Sequence, residues 1–181
     1  MRWVLVKATI YVIRFRGDDP RKSTALKLVR LGLATKVSPK QVPKNSIVLN
    51  PFSDTVLTPL DREYVIKYGL VVVDTSWNLG EEVLKNLFRR VRGKHRILPL
   101  LKAANPINYA VFSKLSSAEA VAAALYIVGL KEQANEVLSK FKWGPTFIKL
   151  NHELLEKYSG AKDVNEVLKI QDEVLRKLGM K

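Results

Sequence analysis

The chain contains no cysteine, which excludes disulfides, thiol catalysis and cysteine-ligated zinc. Its only histidines are His95 and His152. They are far apart and neither has a ligand-spaced partner, so no histidine metal site is expected. No acidic cluster suggests a bound Mg²⁺, and no metal is expected at all. Glycine is scarce, nine in 181 residues, and none falls into G-x-G-x-x-G or G-x-x-x-x-G-K-S/T. The usual phosphate loops for dinucleotides and nucleoside triphosphates are therefore missing. No Ser–His–Asp set can be assigned by spacing. The longest apolar runs, such as Ala120 to Leu130, are too short to cross a bilayer. Met1-Arg2-Trp3 leads straight into a strand-like segment without the apolar core of a signal peptide. A cytoplasmic protein with no membrane partner is expected.

What the chain has in excess is positive charge, with 31 Lys and Arg against 17 Asp and Glu, a net +14. The excess is uneven. Residues 1–110 carry 20 basic and 8 acidic side chains, and residues 111–181 carry 11 and 9. A thermophile-like surface accounts for the mixed charges of the second part. It does not account for the one-signed excess of the first, which is the electrostatic footprint of nucleic-acid binding. Within it, five basic residues fall between Arg89 and Arg96. Read blandly, that run is a solvated charge cluster; read functionally, it neutralises phosphates.

The local patterns predict an α/β protein. Trp3 to Phe15 reads as a strand. Asp19 caps a helix with Pro20 in its first turn, running over about 21–30, in which Leu26, Val29 and Arg30 share a face. Ile47–Leu49 is a short buried strand closed by Asn50-Pro51. Thr58-Pro59-Leu60-Asp61 opens a helix that ends near Tyr68-Gly69. Leu70–Val73 has the unbroken apolar character of a parallel strand covered on both faces. A helix over about 79–90 and a strand at Ile97–Leu101 follow. From Ser116 onward the chain reads as helical, beginning with a Ser116/Glu119 capping box and stopping at Gly129. Further helices are expected over 131–141, 145–158 and 163–178. The expected organisation is a basic α/β part, 1–112, and an α-helical part, 113–181. The boundary lacks linker composition, so the two should pack together.

Two strand ends carry the polar and aromatic residues that a ligand crevice needs. The first is Val73-Asp74-Thr75-Ser76-Trp77. The second follows Ile97–Leu101, where Asn105, Asn108 and Tyr109 supply two amides and a phenol. Asp74 is the best single candidate for chemistry: at the end of a buried strand it can act as a base or hold a ligand. Equally, it can be the N-cap of the next segment. Trp77 is either core or a ligand wall.

These residues resemble a known family. Asp19-Pro20-Arg21-Lys22-Ser23-Thr24-Ala25-Leu26-Lys27-Leu28, Leu57-Thr58-Pro59-Leu60-Asp61 and Gly69-Leu70-Val71-Val72-Val73-Asp74-Thr75-Ser76-Trp77 are similar to the archaeal and eukaryotic small-subunit rRNA aminocarboxypropyltransferases. So are Arg96-Ile97-Leu98-Pro99-Leu100-Leu101, Ala103-Ala104-Asn105-Pro106-Ile107-Asn108-Tyr109, Lys114-Leu115-Ser116-Ser117-Ala118-Glu119-Ala120 and Phe141-Lys142-Trp143-Gly144. The resemblance spans nearly the whole chain in order. It implies a SPOUT-like parallel sheet with a trefoil knot, and S-adenosylmethionine as co-substrate. It implies transfer of the 3-amino-3-carboxypropyl group to N3 of N1-methylpseudouridine in small-subunit rRNA during ribosome biogenesis.

By position, the resemblance puts Thr24, Val73, Asp74, Trp77, Leu98, Ser113 and Ser117 at the cofactor site, with Asp74 as base or orienting group. Ser113 stands where relatives often carry tyrosine, and Ala110 where they carry glycine. Arg21, Lys22, Lys27, Arg30, Arg89, Arg90, Arg92, Lys94 and Arg96 form the expected RNA surface, facing rRNA or a pre-ribosomal small subunit. A monomer is expected, the helical part replacing the dimer interface common among SPOUT enzymes. The competing readings are a SPOUT-like RNA methyltransferase and a non-catalytic RNA-binding assembly factor.

Overall fold

In a computed structural model, which describes residues 5–180, the β-branched segments pair into one five-stranded sheet of order β2-β1-β4-β3-β5. The strands are β1 (Ile10–Arg14), β2 (Thr35–Lys36), β3 (Ile47–Leu49), β4 (Leu70–Asp74) and β5 (Lys94–Arg96), and every pair is parallel. Parallel strands need crossovers, here α1 (Thr24–Arg30), α2 (Arg62–Tyr68) and α3 (Glu81–Arg89) with their loops. The central strand β4 is buried on both faces, as its apolar run requires. Its Leu70 and Val72 belong to one core cluster with Ala25, Leu28 and Val65 of α1 and α2. Its Val71 and Val73 belong to a second, with Ile13, Val48 and Phe88 of α3. Strand alternation thus sends Asp74 toward α1 and Val73 toward α3.

The C-terminal helices are α4 (Ser117–Ile127), α5 (Lys131–Leu138), α6 (Gly144–Ser159) and α7 (Val164–Lys177). Helix α4 is buried almost all round, which its alanine-rich sequence permits. It packs against α1 and β4 on one side and against α5 and α6 on the other. The larger core cluster therefore runs from Ala8 to Val167 without a break. Gly144 makes one of these joints possible: a Cβ there would sit 1.8 Å from the Leu138 carbonyl oxygen. At Gly69, φ is +96° and a Cβ would fall 2.5 Å from the Tyr11 ring.

The expected α/β class, the short β3, the Thr58/Asp61 helix start and the Ser116/Glu119 capping box are all present. Three local expectations need correction. The strand expected from Trp3 begins only at Ile10; Trp3 lies outside the described residues. The Ala8 amide and carbonyl are instead held by the Gln133 side chain, each at 2.8 Å. The strand expected at Ile97–Leu101 lies earlier, at Lys94–Arg96, where β5 pairs with β3. Beyond it Pro99 has no N–H to give a ladder, and side chains from the C-terminal helices take the backbone. Gln171 accepts from the Leu100 amide, Tyr158 donates to its carbonyl, and Asn151 bonds both polar groups of Lys102. In α1 the buried residues are Ala25 and Leu28 rather than the Leu26, Val29 and Arg30 face. The helix is capped by Ser23, while Asp19 caps a separate turn at Pro20–Lys22.

Candidate functional site

The carboxyl ends of β3, β4 and β5 open into a cavity of about 740 Å³, within the range of small-molecule sites. Leu49 and Asn50 follow β3, Val72 and Val73 end β4, and Ile97, Leu98 and Pro99 leave β5. Trp77 and Phe88 form an aromatic wall, their ring centroids 6.2 Å apart. The far wall is the loop from Asn105 to Ser117. Most of the lining is apolar, with amides and hydroxyls from Asn50, Asn105, Asn108, Ser113, Ser116 and Ser117. Among the described residues no Asp, Glu or His lines it, and Lys114 is the one charged side chain that does.

The loop wall is fixed by a single buried carboxylate. Glu119, 0% exposed, accepts from the Ala104 amide at 2.6 Å, the Asn105 amide at 2.8 Å, Asn105 Nδ2 at 2.8 Å and the Ser116 amide at 2.6 Å. Such charge-assisted bonds are the strong ones. Asn105 passes the restraint on, donating to the Lys114 carbonyl and accepting from the Asn108 amide. The sequence marks Glu119 as half of a capping box; its grip on residues 104 and 105 has no local signature.

Of the seven residues expected at the cofactor site, Val73, Trp77, Leu98, Ser113 and Ser117 line the cavity. Thr24 and Asp74 do not; they stand behind it. One oxygen of Asp74 accepts from Arg14 Nη1 at 2.8 Å and from Ser23 Oγ at 2.9 Å. Asp74 is therefore not the N-cap of the following turn, which begins at Ser76 without a side-chain cap. Ser23 caps α1, and the adjacent Thr24 accepts from the Ala118 amide at 3.0 Å. The chain Asp74–Ser23–Thr24–Ala118 thus ties the end of β4 to the start of α4, where Ser117 meets the cavity.

The nine basic residues do not form one continuous run. Arg21, Lys22 and Arg30 are exposed around α1. Arg21 clasps Asp19, whose carboxyl that hydrogen bond holds below its usual range. Arg89 and Arg90 are exposed at the end of α3, and Arg90 lies over the Phe15 ring. Arg90 and Arg21 therefore both contact the segment leaving β1. Arg92 donates to the Lys40 carbonyl, and Lys94 lies over Tyr64 at the amino end of β5, the end of the sheet away from the cavity. Lys27 donates to the Lys140 carbonyl and packs on Phe141. Arg96 has a side chain only 19% exposed and is paired with buried Asp61 at 3.1 Å.

Among the described residues no helix is long and apolar enough to cross a membrane, and no group of three potential side-chain ligands gathers for a metal.

Comparison with known proteins now gives the cavity a context. Residues 47–175 match the family model "Ribosome biogenesis protein, C-terminal". A 16S rRNA aminocarboxypropyltransferase of Saccharolobus islandicus is 46% identical over 171 residues, covering 93% of this chain and 97% of the relative. The chain belongs to this family. The enzyme of that name from Methanocaldococcus jannaschii is 45% identical over 170 residues, with 93% and 96% covered. A solved structure described as the SAM-dependent rRNA:acp-transferase Tsr3 from Vulcanisaeta distributa superposes with a TM-score of 0.78. It is 42% identical, and the match covers 93% of this chain and 98% of that one. The β3–β4–β5 crevice thus lies in a fold that this chain shares with that structure.

Proposed function

We propose that this chain transfers the 3-amino-3-carboxypropyl group of S-adenosylmethionine to N3 of N1-methylpseudouridine in small-subunit rRNA. It would do so in the cytoplasm, from a SPOUT-like knotted core (1–112) buttressed by a helical part (113–181). The observation that carries this reading is the cavity itself: a strand-end crevice walled by Trp77, in a chain that matches named aminocarboxypropyltransferases over almost its whole length. Its size, apolar walls and scattered hydroxyls and amides fit an adenosyl ligand. An indole face fits a sulfonium.

The co-substrate supplies three carbons activated by one sulfonium, so the position of the acceptor decides which of them reacts. Trp77, Val73 and Leu98 are read as the residues that bury the methyl and leave the aminocarboxypropyl arm toward the RNA. Ser113, Ser117 and neighbouring backbone groups are read as its polar contacts. N3 of the acceptor attacks Cγ, the C–S bond breaks, and its electron pair leaves on sulfur in neutral methylthioadenosine. The N3 proton goes to water, since no described Asp or Glu lines the cavity and Asp74 and Glu119 are both engaged by protein donors. Asp74 is thus read as an orienting group, with Thr24 beside it holding α4. Of the exposed members of the basic set, Arg21, Lys22, Arg30, Arg89 and Arg90 are read as contacting rRNA phosphates.

The test is incubation with carboxyl-labelled S-adenosylmethionine and small-subunit rRNA carrying the methylated pseudouridine. Label in the RNA with release of methylthioadenosine is expected. S-adenosylhomocysteine without label in RNA makes the protein a methyltransferase. Neither product, with RNA binding retained, makes it an assembly factor.

A further inference from the structure

The segment from Ala103 to Ser113 is a rigid arm whose tip is apolar and bare. Its root is closed by main-chain bonds from Ala103 to Val111 and from Ala110 back to Ala103, at 2.9 and 2.6 Å, and from Ser113 to Leu101 at 3.0 Å. Buried Glu119 clamps its inner side. Ala110 and Ser113 both hold positive φ, +62° and +59°, a backbone conformation that non-glycine residues adopt at a cost. A flexible loop would relax that strain; this one is held against it. Yet Ile107 is 89% exposed and Tyr109 60%. The Tyr109 side chain makes no hydrogen bond or ring contact with any described residue. Large apolar side chains presented together on a fixed scaffold mark a binding surface.

Location says what binds there. Ile107 and the neighbouring Asn108 line the cavity mouth, so an acceptor entering the cavity must pass the arm. The chain's charge, +14 overall, selects a polyanion. An aromatic ring beside cations is the usual platform for unpaired bases.

We propose that Tyr109 and Ile107 form a stacking platform for an unpaired rRNA nucleotide next to the acceptor, holding the acceptor at the cavity mouth. This rests on the reading that rRNA is the second substrate. The inner side of the arm is a wall of the cavity; its outward tip is the recognition element. It selects a looped or flipped target, because a base inside a duplex has no free face to offer.

The experiment measures the affinity of the full chain for a stem-loop of small-subunit rRNA containing the acceptor. A second RNA has an abasic site beside the acceptor. Wild type, Tyr109→Ala, Tyr109→Phe and the double variant Ile107→Ala/Tyr109→Ala are compared, with S-adenosylmethionine affinity and denaturation midpoint measured on each. Loss of one stacked base is expected to weaken RNA binding about tenfold in Tyr109→Ala, and more in the double variant. Tyr109→Phe should stay near wild type. In Tyr109→Ala, whose side chain does not line the cavity, cofactor affinity, midpoint and the salt slope of RNA binding should not change. The abasic RNA should bind wild type about tenfold more weakly and Tyr109→Ala no worse than before. Unchanged RNA binding in the double variant overturns the proposal. A loss of cofactor affinity in Tyr109→Ala instead makes the tip a cofactor cover, and a change of oligomeric state makes it a self-association surface; either also overturns it. Failure of the wild type to transfer label while still binding this RNA would overturn the proposed reaction and leave the stacking result readable.

Discussion

Asp74 offers the sharpest test, because a supporting role and a proton-accepting role predict opposite results. Its carboxylate pairs with Arg14 at 2.8 Å, with side-chain exposures of 14% and 16%, and accepts from Ser23 at 2.9 Å. Breaking a fully buried pair costs about 3–5 kcal/mol. Here some water reaches both partners, and Arg14 keeps a bond to the Asp18 carbonyl. Asp74→Ala should therefore cost about 2–3 kcal/mol, lowering the melting temperature by about 5–10 °C in a chain of this size. Asp74→Asn keeps an oxygen for Arg14 and Ser23 and should cost only about 1 kcal/mol. An Arg14→Ala/Asp74→Ala cycle in denaturant should return a coupling of about 1.5 kcal/mol or more. Because Asp74 secures Ser23, and Thr24 secures Ala118, Asp74→Ala should also weaken S-adenosylmethionine binding severalfold. At saturating co-substrate, Asp74→Asn should transfer at within about tenfold of the wild-type rate, since loss of a general base typically costs about 10²–10⁴. The contrary result is an Asn variant with native stability and native co-substrate affinity whose transfer rate falls a hundredfold. That would make Asp74 the base and refute the supporting role.

Three other consequences can be measured. In Glu119→Gln an amide NH₂ must face at least one of the N–H donors the carboxylate now accepts, so denaturation should show a loss of about 2–4 kcal/mol, together with weaker co-substrate binding. Neutralising exposed Arg21 and Lys22 should lower the salt slope of RNA binding by about 0.7–0.9 for each phosphate they no longer neutralise. Arg96→Gln should instead leave the slope unchanged and reduce stability, because it strands buried Asp61. On the alkaline side, burial and the hydrogen bond with Glu156 push the Tyr126 hydroxyl up to about 12 from 10.0, and burial raises Tyr158 as well. The folded chain therefore holds protons that the unfolded chain releases. Their contribution is complete below pH 10 and is lost as pH rises toward 12. A pH series of denaturation midpoints should show that loss, with a shallower decline in Tyr126→Phe.

What the sequence discloses are features written within a few residues of one another. The Ser116/Glu119 capping box, the helix start at Thr58-Pro59-Leu60-Asp61 and the Val71–Val73 run each need only their neighbours to be recognised, and each is where expected. The strand near residue 97 was displaced because its position depends on what pairs with what. Three residues of β3 fix the register of β5, and Gln171, Tyr158 and Asn151 claim the backbone beyond it. The candidate site shows the same division. Val73, Trp77 and Leu98 are legible as strand ends. The bond from Ala118 to Thr24 spans 94 residues, and no periodicity announces it. Nor does sequence spacing show that Arg96 turns inward to Asp61 while Arg90 stays outside.

The composition of the cavity wall bears on how the proposed reaction is driven. The attacking nitrogen is most nucleophilic as an anion, and the carbon it attacks sits on a cationic sulfur. The two charges annihilate as the bond forms. A fixed carboxylate beside the sulfonium would stabilise the charged ground state and lose its partner in the transition state, which raises the barrier. The described lining holds no such carboxylate. It offers Trp77 and Phe88 faces and aliphatic side chains, with Asp74 and Glu119 close by but committed to protein donors. Such a wall excludes water from opposite charges without neutralising either, so their mutual attraction is weakly screened. The same reasoning assigns the acids their place: Asp74 and Glu119 are most useful to this chemistry as struts behind the cavity, because on its surface each would hold the sulfonium too well.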